Sequence, residues 1–167
     1  MKIIVNDANI LIDLAKLDLI EKLSELGAAL HTNDFVLSEI KESSQRKKID
    51  LFVSEKIITV ASTDSEEVIV ISQMTIENKG LSFEDCSIWY YAKKSKGLLL
   101  TGDKKLRICA EKDDVEVRGI IYVLDELLRK NLINKEIAII KITELHRLNK
   151  WLPKNEIDAR ISKWQDS

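Results

Sequence analysis

Cysteine, histidine and proline are scarce in this sequence, and their scarcity excludes several kinds of protein. The 167 residues include two cysteines, two histidines and one proline. Cys86 and Cys109 are too few for a disulfide framework, and neither stands in a CxxC motif or beside a histidine at zinc-ligand spacing. We predict that both are small buried residues in a reducing compartment. His31 and His146 are far apart in the chain and have no catalytic partner nearby, so neither is predicted to be catalytic.

Long apolar runs are also missing. The apolar start of the chain is cut by Asn6 and Asp7 after three residues, which excludes a signal-peptide core, and no stretch approaches the length of a membrane span. We therefore expect a cytoplasmic protein with no membrane partner. Hydrophobic residues make up 45% and charged residues 32% of the chain, and this composition at this length predicts one domain with a core of its own.

Charge of one sign is not in excess. The formal net charge of -2 lacks the basic surplus of a histone-like nucleic-acid binder. Any contact with nucleic acid is therefore expected to be local. Three short basic clusters are candidates for it: 46–48, 93–96 and 104–107.

Apolar spacing divides the chain into alternating strands and helices. Strands are predicted at 2–6, 28–35, 57–61, 98–100 and 115–117. One helix is predicted to start at residue 9, and a second, short helix follows a capping box formed by Asp18 and Glu21. Asp64 and Glu67 form another capping pair at the start of a helix at 64–79. Further helices are predicted at 36–42, 82–96 and 104–111, with helical structure from residue 120 onward. The polar stretch 43–48 is predicted to be a loop. Strands separated by helices predict a mostly parallel sheet covered on both faces.

Acidic residues stand at the ends of several of these elements. Asp7 and Asp103 each follow a strand, and side chains that follow neighbouring parallel strands meet where the strand order reverses. Each acid also has a structural explanation: Asp7 and Asp103 as N-caps, Asp85 as the acidic arm of a capping box, and Glu39 as a surface acid. If the four gather without a basic partner, their mutual repulsion favours a divalent ion. Carboxylate oxygens without Cys or His suit Mg²⁺ or Mn²⁺.

Five strings carry a resemblance to a known family. From about Lys2 to Leu132, the chain resembles the PIN-domain nucleases in the order and placement of IIVNDANILIDL, VLSEI, LSFEDCSIWYYAKK, LLLTGDKKLRICAE and VEVRGII. The resemblance implies a three-layer α/β/α sandwich with a central, mostly parallel sheet. We assign residues 1–150 to the PIN-like nuclease domain and 151–167 to a C-terminal helical extension of that domain.

The resemblance also implies a site and a reaction. Four acids would ligate Mg²⁺ or Mn²⁺, namely Asp7, Glu39, Asp85 and Asp103. Asn9 and Thr101 match positions that support the site by hydrogen bonding, and Lys104 and Lys105 are expected to meet the RNA backbone. The implied reaction is hydrolysis of RNA phosphodiester bonds, in which the ion orients the phosphate and lowers the pKa of a bound water. Many small prokaryotic members resemble VapC-type toxins, which implies a homodimer and a cognate antitoxin protein.

Two other functions fit parts of the same pattern. A PIN-like fold can serve as an RNA-binding or assembly module that catalyses nothing. Alternatively, Asp7 could be the nucleophile of a haloacid-dehalogenase-like phosphatase, although such enzymes need a second aspartate where this chain has Asn9. Three aromatic residues on the 82–96 helix are predicted to lie in a dimer interface: Trp89, Tyr90 and Tyr91.

Overall fold

Five short strands form one sheet in the computed structural model, which describes residues 2–150 and 152–166. The strands are β1 (Ile3–Asn6), β2 (Ala29–Asn33), β3 (Ile58–Ala61), β4 (Leu98–Leu100) and β5 (Val117–Arg118). All are parallel, in the order β3-β2-β1-β4-β5. Along the chain, β2 and β3 are added on one side of β1, and β4 and β5 are then added on the other side. The order therefore reverses between β1 and β4, where Asn6 is in register with Leu100.

Helices flank this sheet in a three-layer α/β/α arrangement, which confirms the predicted fold class. The helices of the described residues are α1 (Ala8–Lys16), α2 (Ile20–Ser24), α3 (Asp34–Glu39), α4 (Ser43–Ser54), α5 (Ser65–Glu77), α6 (Phe83–Ser95), α7 (Lys104–Lys112), α8 (Ile120–Arg129), α9 (Lys135–Leu148) and α10 (Lys154–Asp166). The three leucines of β4 are buried, as expected of a central strand covered on both faces. Among the described helices, none has the length and apolar character needed to cross a membrane.

Local sequence signals located two helix starts correctly. Asp64 and Glu67 form a capping box at the start of α5, and Ser82 and Asp85 form another at the start of α6. Each box satisfies backbone N–H groups that a helix start leaves without partners. The second box therefore holds Asp85 in a fixed position at the beginning of α6.

The predicted capping box at Asp18 is wrong. Leu19 occupies the N-cap position of α2, and no side chain caps that helix. Asp18 has a φ of 54° and turns its carboxylate toward Lys48 on α4 instead. A partner 30 residues away in the chain has displaced the local interaction.

The predicted loop at 43–48 is also wrong, because these residues form the first half of α4. Polarity misled the interpretation, since the buried side chains of this helix, Ile49 and Phe52, come only in its second half. Arg46 supports the polar half by donating to Asp50 one turn later, at 2.8 Å, and to the carbonyl of Leu37, also at 2.8 Å.

The aromatic residues of α6 differ from one another in their surroundings. Trp89 is only 7% exposed and donates its indole N–H to Asp113, so it belongs to the core and the interface prediction is wrong for it. Tyr91 lies partly buried with its hydroxyl 2.6 Å from Nδ1 of His31. Cys86 is buried as predicted, whereas Cys109 is only partly buried.

The last helix packs against the body of the protein. Ile157 and Trp164 on α10 are buried, Trp164 donates to Asp125 on α8 at 3.1 Å, and Arg160 forms an ion pair with the same carboxylate. The predicted boundary of the extension begins at Trp151, which lies outside the described residues, as does Ser167 at its end.

Candidate active site

The ends of β1 and β4 place Asp7 against Thr101. The backbone N–H of Asp7 donates to the carbonyl of Leu100 at 3.1 Å, which continues the pairing of the two strands by one step. Thr101 is fully buried, and its hydroxyl donates to Oδ2 of Asp7 at 2.7 Å. The same hydroxyl accepts the backbone N–H of Asp103 at 3.1 Å. One threonine therefore connects the two acids that follow these strands.

The carboxyl group of Asp7 is buried and its pKa is raised. Burial disfavours the charged form and is the largest cause, while the hydrogen bond from Thr101 and the nearby backbone amides of Asn9 and Ala8 act in the opposite direction. The negative charge of Asp85 raises the pKa further. Although Asp7 occupies the N-cap position of α1, its side chain makes no cap hydrogen bond, so capping does not account for it.

Glu39, the last residue of α3, belongs to the same electrostatic group. Its pKa is raised to about 7, first by partial burial of the carboxyl and then by the charges of Asp7, Glu84 and Asp85, while Lys41 acts in the opposite direction. The tertiary structure thus brings the ends of β1 and α3 and the start of α6 near one another. Glu84 is an acid of this group that sequence analysis missed, and its signal was its position next to Asp85 in the first turn of α6.

Asp85 and Asp103 use part of their carboxylates as helix caps. Oδ2 of Asp85 accepts the N–H of Ser82 at 2.8 Å, and Oδ1 of Asp103 accepts the N–H of Leu106 at 2.6 Å. The structural explanation offered for Asp85 and for Asp103 is therefore correct. It does not exclude a second role, because each carboxylate has another oxygen that is not used in the cap.

A buried polar contact fixes α3 relative to α6. Asn33 caps α3 by accepting the N–H of Val36 at 2.9 Å, and its amide donates to the hydroxyl of Ser87 on α6 at 3.0 Å. That hydroxyl in turn donates to the carbonyl of Glu84 at 2.7 Å. Asn33 and Ser87 are buried, so this contact holds together the two helices that carry Glu39, Glu84 and Asp85.

The donor chemistry of these acids suits a hard divalent ion. Within residues 2–150 and 152–166, none of the four predicted ligands forms an ion pair with a lysine or arginine. In the described part of the chain, no three acidic, histidine or cysteine side chains already converge closely enough to hold an ion. The observation that fits a metal is therefore the uncompensated charge around Asp7 and Glu39, which a cation would neutralise.

We compared the chain with known protein families. A family model described as a PIN domain matches residues 3–166. The chain belongs to the PIN-domain family. The resemblance stated from the sequence is thereby confirmed, and the match extends beyond Leu132 through α10. No curated protein matches the chain.

Solved structures share the fold of this PIN domain at low sequence identity. The PAE2754 protein of Pyrobaculum aerophilum is 17% identical, with a TM-score of 0.56 over 77% of this chain and 98% of that chain. A chain in the structure of VapBC2 from Rickettsia felis, bound to a DNA fragment from their promoter, is 14% identical, with a TM-score of 0.51 over 70% and 98%. A domain of a functionally unknown protein from Methanocaldococcus jannaschii is 21% identical, with a TM-score of 0.50 over 72% and 91%.

The remaining predicted site residues of the PIN domain occupy two different places. Asn9 and Lys104 line a cleft beside Asp103. Lys105 instead turns away from that cleft and donates its ammonium group to the carbonyl of Lys79, in the connection between α5 and α6. The two neighbouring lysines therefore face different surroundings, which their adjacency in the sequence does not reveal.

One further acid beside the cleft was missed. Asp13 lies one helical turn after Asn9 on α1, is 8% exposed, and accepts a hydrogen bond from the amide of Asn149 at 3.1 Å. Burial raises its pKa, while Asn149 and Lys16 act in the opposite direction. The only sequence signal was the spacing of four residues from Asn9, which places both side chains on the same face of α1.

Proposed function

We propose that this PIN-domain protein is a divalent-metal-dependent ribonuclease that hydrolyses RNA phosphodiester bonds. The observation that carries the proposal is the group of acids around Asp7. Burial and mutual repulsion raise the pKa values of Asp7 and Glu39, and none of the predicted ligands forms an ion pair with a lysine or arginine among the described residues. Repulsion of this kind favours a cation at the point where the strand order reverses.

The proposed ligands of Mg²⁺ or Mn²⁺ are Asp7, Glu39, Asp85 and Asp103. A bound ion would supply positive charge to the scissile phosphate and make water a better nucleophile at neutral pH. Thr101 would hold the Asp7 carboxylate in one orientation, since its hydroxyl donates to one oxygen and leaves the other available. The contact between Asn33 and Ser87 would keep Glu39 at a fixed distance from Asp85. None of these roles requires a covalent intermediate on the protein.

Cleavage of a labelled single-stranded RNA tests the proposal. We expect cleavage with Mg²⁺ or Mn²⁺, no cleavage with excess EDTA, and no cleavage by Asp7→Asn or Asp103→Asn. Asp158→Asn is the matched control, because Asp158 is an exposed aspartate on α10. Calorimetric titration with Mn²⁺ provides a second readout that does not depend on turnover, and binding should weaken in the first two variants only. Equal activity of all four proteins would refute the site assignment.

The two alternatives make different predictions in the same assay. A catalytically silent module would bind the RNA without producing fragments in any metal. Membership of the PIN-domain family does not support the phosphatase alternative. Trapping a phosphoryl group on Asp7 with a phosphate mimic would nevertheless revive it.

The toxin role is a separate part of the proposal. It is supported by family membership and by the shared fold with a chain of the VapBC2 structure. We expect induced expression to arrest growth, and co-expression of a small open reading frame encoded beside the gene to relieve the arrest. If the protein cleaves RNA but its expression does not arrest growth, the toxin role is wrong and the protein is a free-standing ribonuclease.

A further inference from the structure

A cleft of about 820 Å³ opens beside Asp103, and basic side chains from three parts of the chain line it. They are contributed by the end of α1, the start of α7 and the segment around the end of α9: Lys16, Lys104, Arg147 and Lys150. All four are exposed. Within residues 2–150 and 152–166, none of the four forms an ion pair. Their charges are therefore available to an anionic ligand.

The four cations outnumber the two acids that line the cleft. Asp13 is buried and accepts a hydrogen bond from Asn149, and Asp103 accepts the backbone N–H of Leu106. The cations are exposed whereas Asp13 is withdrawn from solvent, so the accessible surface of the cleft is more basic than the chain as a whole. On a protein of net charge -2, a local basic surface concentrates positive potential at this cleft.

The end of α9 is anchored where it contributes to this cleft. The hydrogen bond between Asn149 and Asp13 joins the C-cap of α9 to α1. Arg147 and Lys150 lie on either side of that anchor. This part of the chain therefore forms one wall of the cleft, although it follows the segment that carries the four predicted ligands.

We propose that this cleft holds the phosphate backbone of a single-stranded RNA, with Lys16, Arg147 and Lys150 acting together with Lys104. The inference rests on the proposed ribonuclease function and deepens it by naming the substrate-binding surface. Separate cations along a groove match the repeated charges of a nucleic-acid backbone. Asp103 lines the cleft and is connected to Asp7 through Thr101, so a strand bound there would lie beside the acids.

The test measures RNA binding without turnover. The full chain carrying Asp7→Asn is titrated against a fluorescent oligouridine at several salt concentrations, and binding is followed by anisotropy. A cleft triple variant is compared in that background: Lys16→Ala, Arg147→Ala and Lys150→Ala. Each phosphate contact to a single strand contributes about 0.7 to the slope of log K against log salt, so the triple should lower the slope by about 2 and weaken binding roughly 100-fold at about 0.1 M salt.

A matched control separates this surface from overall charge. The control triple variant removes three exposed lysines that do not line the cleft and form no ion pair in the described part of the chain: Lys79, Lys112 and Lys130. We expect the control triple to retain the wild-type slope. An equal loss in both triples, or no loss in the cleft triple, would overturn the inference.

The remaining outcomes distinguish the inference from the function on which it rests. Cleft-dependent RNA binding without metal-dependent cleavage would refute the ribonuclease proposal and leave the cleft assignment standing. Normal binding by the cleft triple, together with normal cleavage when the same three substitutions are made in the wild-type chain, would refute the cleft assignment alone. Oligoglutamate serves as a competitor, and if it displaces RNA at equal charge concentration, the cleft is a site for an acidic protein segment and the inference is wrong.

Discussion

Replacement of Thr101 by valine isolates the contact that holds Asp7. Valine has nearly the shape of threonine but cannot donate to Oδ2 of Asp7 or accept the N–H of Asp103. A hydrogen bond to a charged group contributes about 1.5–3 kcal/mol and a neutral one about 0.5–1.5 kcal/mol. Because Asp103 is exposed and water can replace the second bond, we expect Thr101→Val to lower the free energy of unfolding by about 2–3 kcal/mol.

The chain provides a close control for this substitution. Thr32 is also fully buried near a strand end, but its hydroxyl donates to the neutral carbonyl of Asn6 at 3.0 Å. Thr32→Val should therefore lower the free energy of unfolding by only about 1 kcal/mol. Urea unfolding in EDTA at about pH 7 measures both variants without any contribution from a metal.

Acid should reduce the difference between the two variants. The bond from Thr101 favours the charged form of Asp7, so its loss raises the pKa of Asp7 further and matters most when Asp7 is ionised. Below the folded-state pKa of Asp7, the loss at Thr101 should approach the loss at Thr32. Equal losses at about pH 7, or a difference that does not change with pH, would refute this account of how Asp7 is held.

Three further predictions concern the surroundings of the site. Asn33→Ala removes the cap of α3 and its contact with Ser87, so urea unfolding should show a loss of about 1–2 kcal/mol and Mn²⁺ titration should show weaker binding. Burial raises the folded-state pKa of Asp13 above its ordinary value of 3.8, so ionisation of Asp13 costs stability as pH rises above 3.8. Asp13→Asn should therefore gain stability relative to wild type as pH rises from below 3.8 to neutrality, and a difference that stays constant with pH would contradict this. Ile69 and Ile76 are 71% and 69% exposed on one face of α5, which makes this face a candidate surface for the predicted homodimer. The double variant Ile69→Glu with Ile76→Glu should then sediment as a monomer. Unchanged sedimentation would show that the dimer contact lies elsewhere.

The sequence was sufficient for the order of the elements and for several local interactions. Strand and helix order follow from apolar periodicity, and the capping boxes of α5 and α6 follow from residues three apart. The parallel sheet follows from the alternation of strands and helices. Asp7 and Asp103 each follow a strand, which indicated that both acids lie at the carboxyl ends of the parallel strands; β1 and β4 are neighbours in the sheet.

Contacts between residues far apart in the chain could not be predicted from periodicity and capping signals. Asp18 contacts Lys48 instead of capping α2, and Lys105 contacts the carbonyl of Lys79 instead of following Lys104 into the cleft. Neither choice is encoded in the neighbouring residues. Each depends on which side chains the packed helices place within reach.

The sequence by itself determined the order of the elements, the parallel sheet and the acids at the strand ends, because periodicity and capping act over a few residues. Only the tertiary structure decided that Thr101 holds Asp7, that Glu84 joins the acids around Glu39, and that Arg147 and Lys150 line a cleft beside Asp103. The physical reason is that electrostatic repulsion and hydrogen bonding depend on distance in space. For residues 94 apart in the chain, such as Asp7 and Thr101, that distance is set by strand pairing.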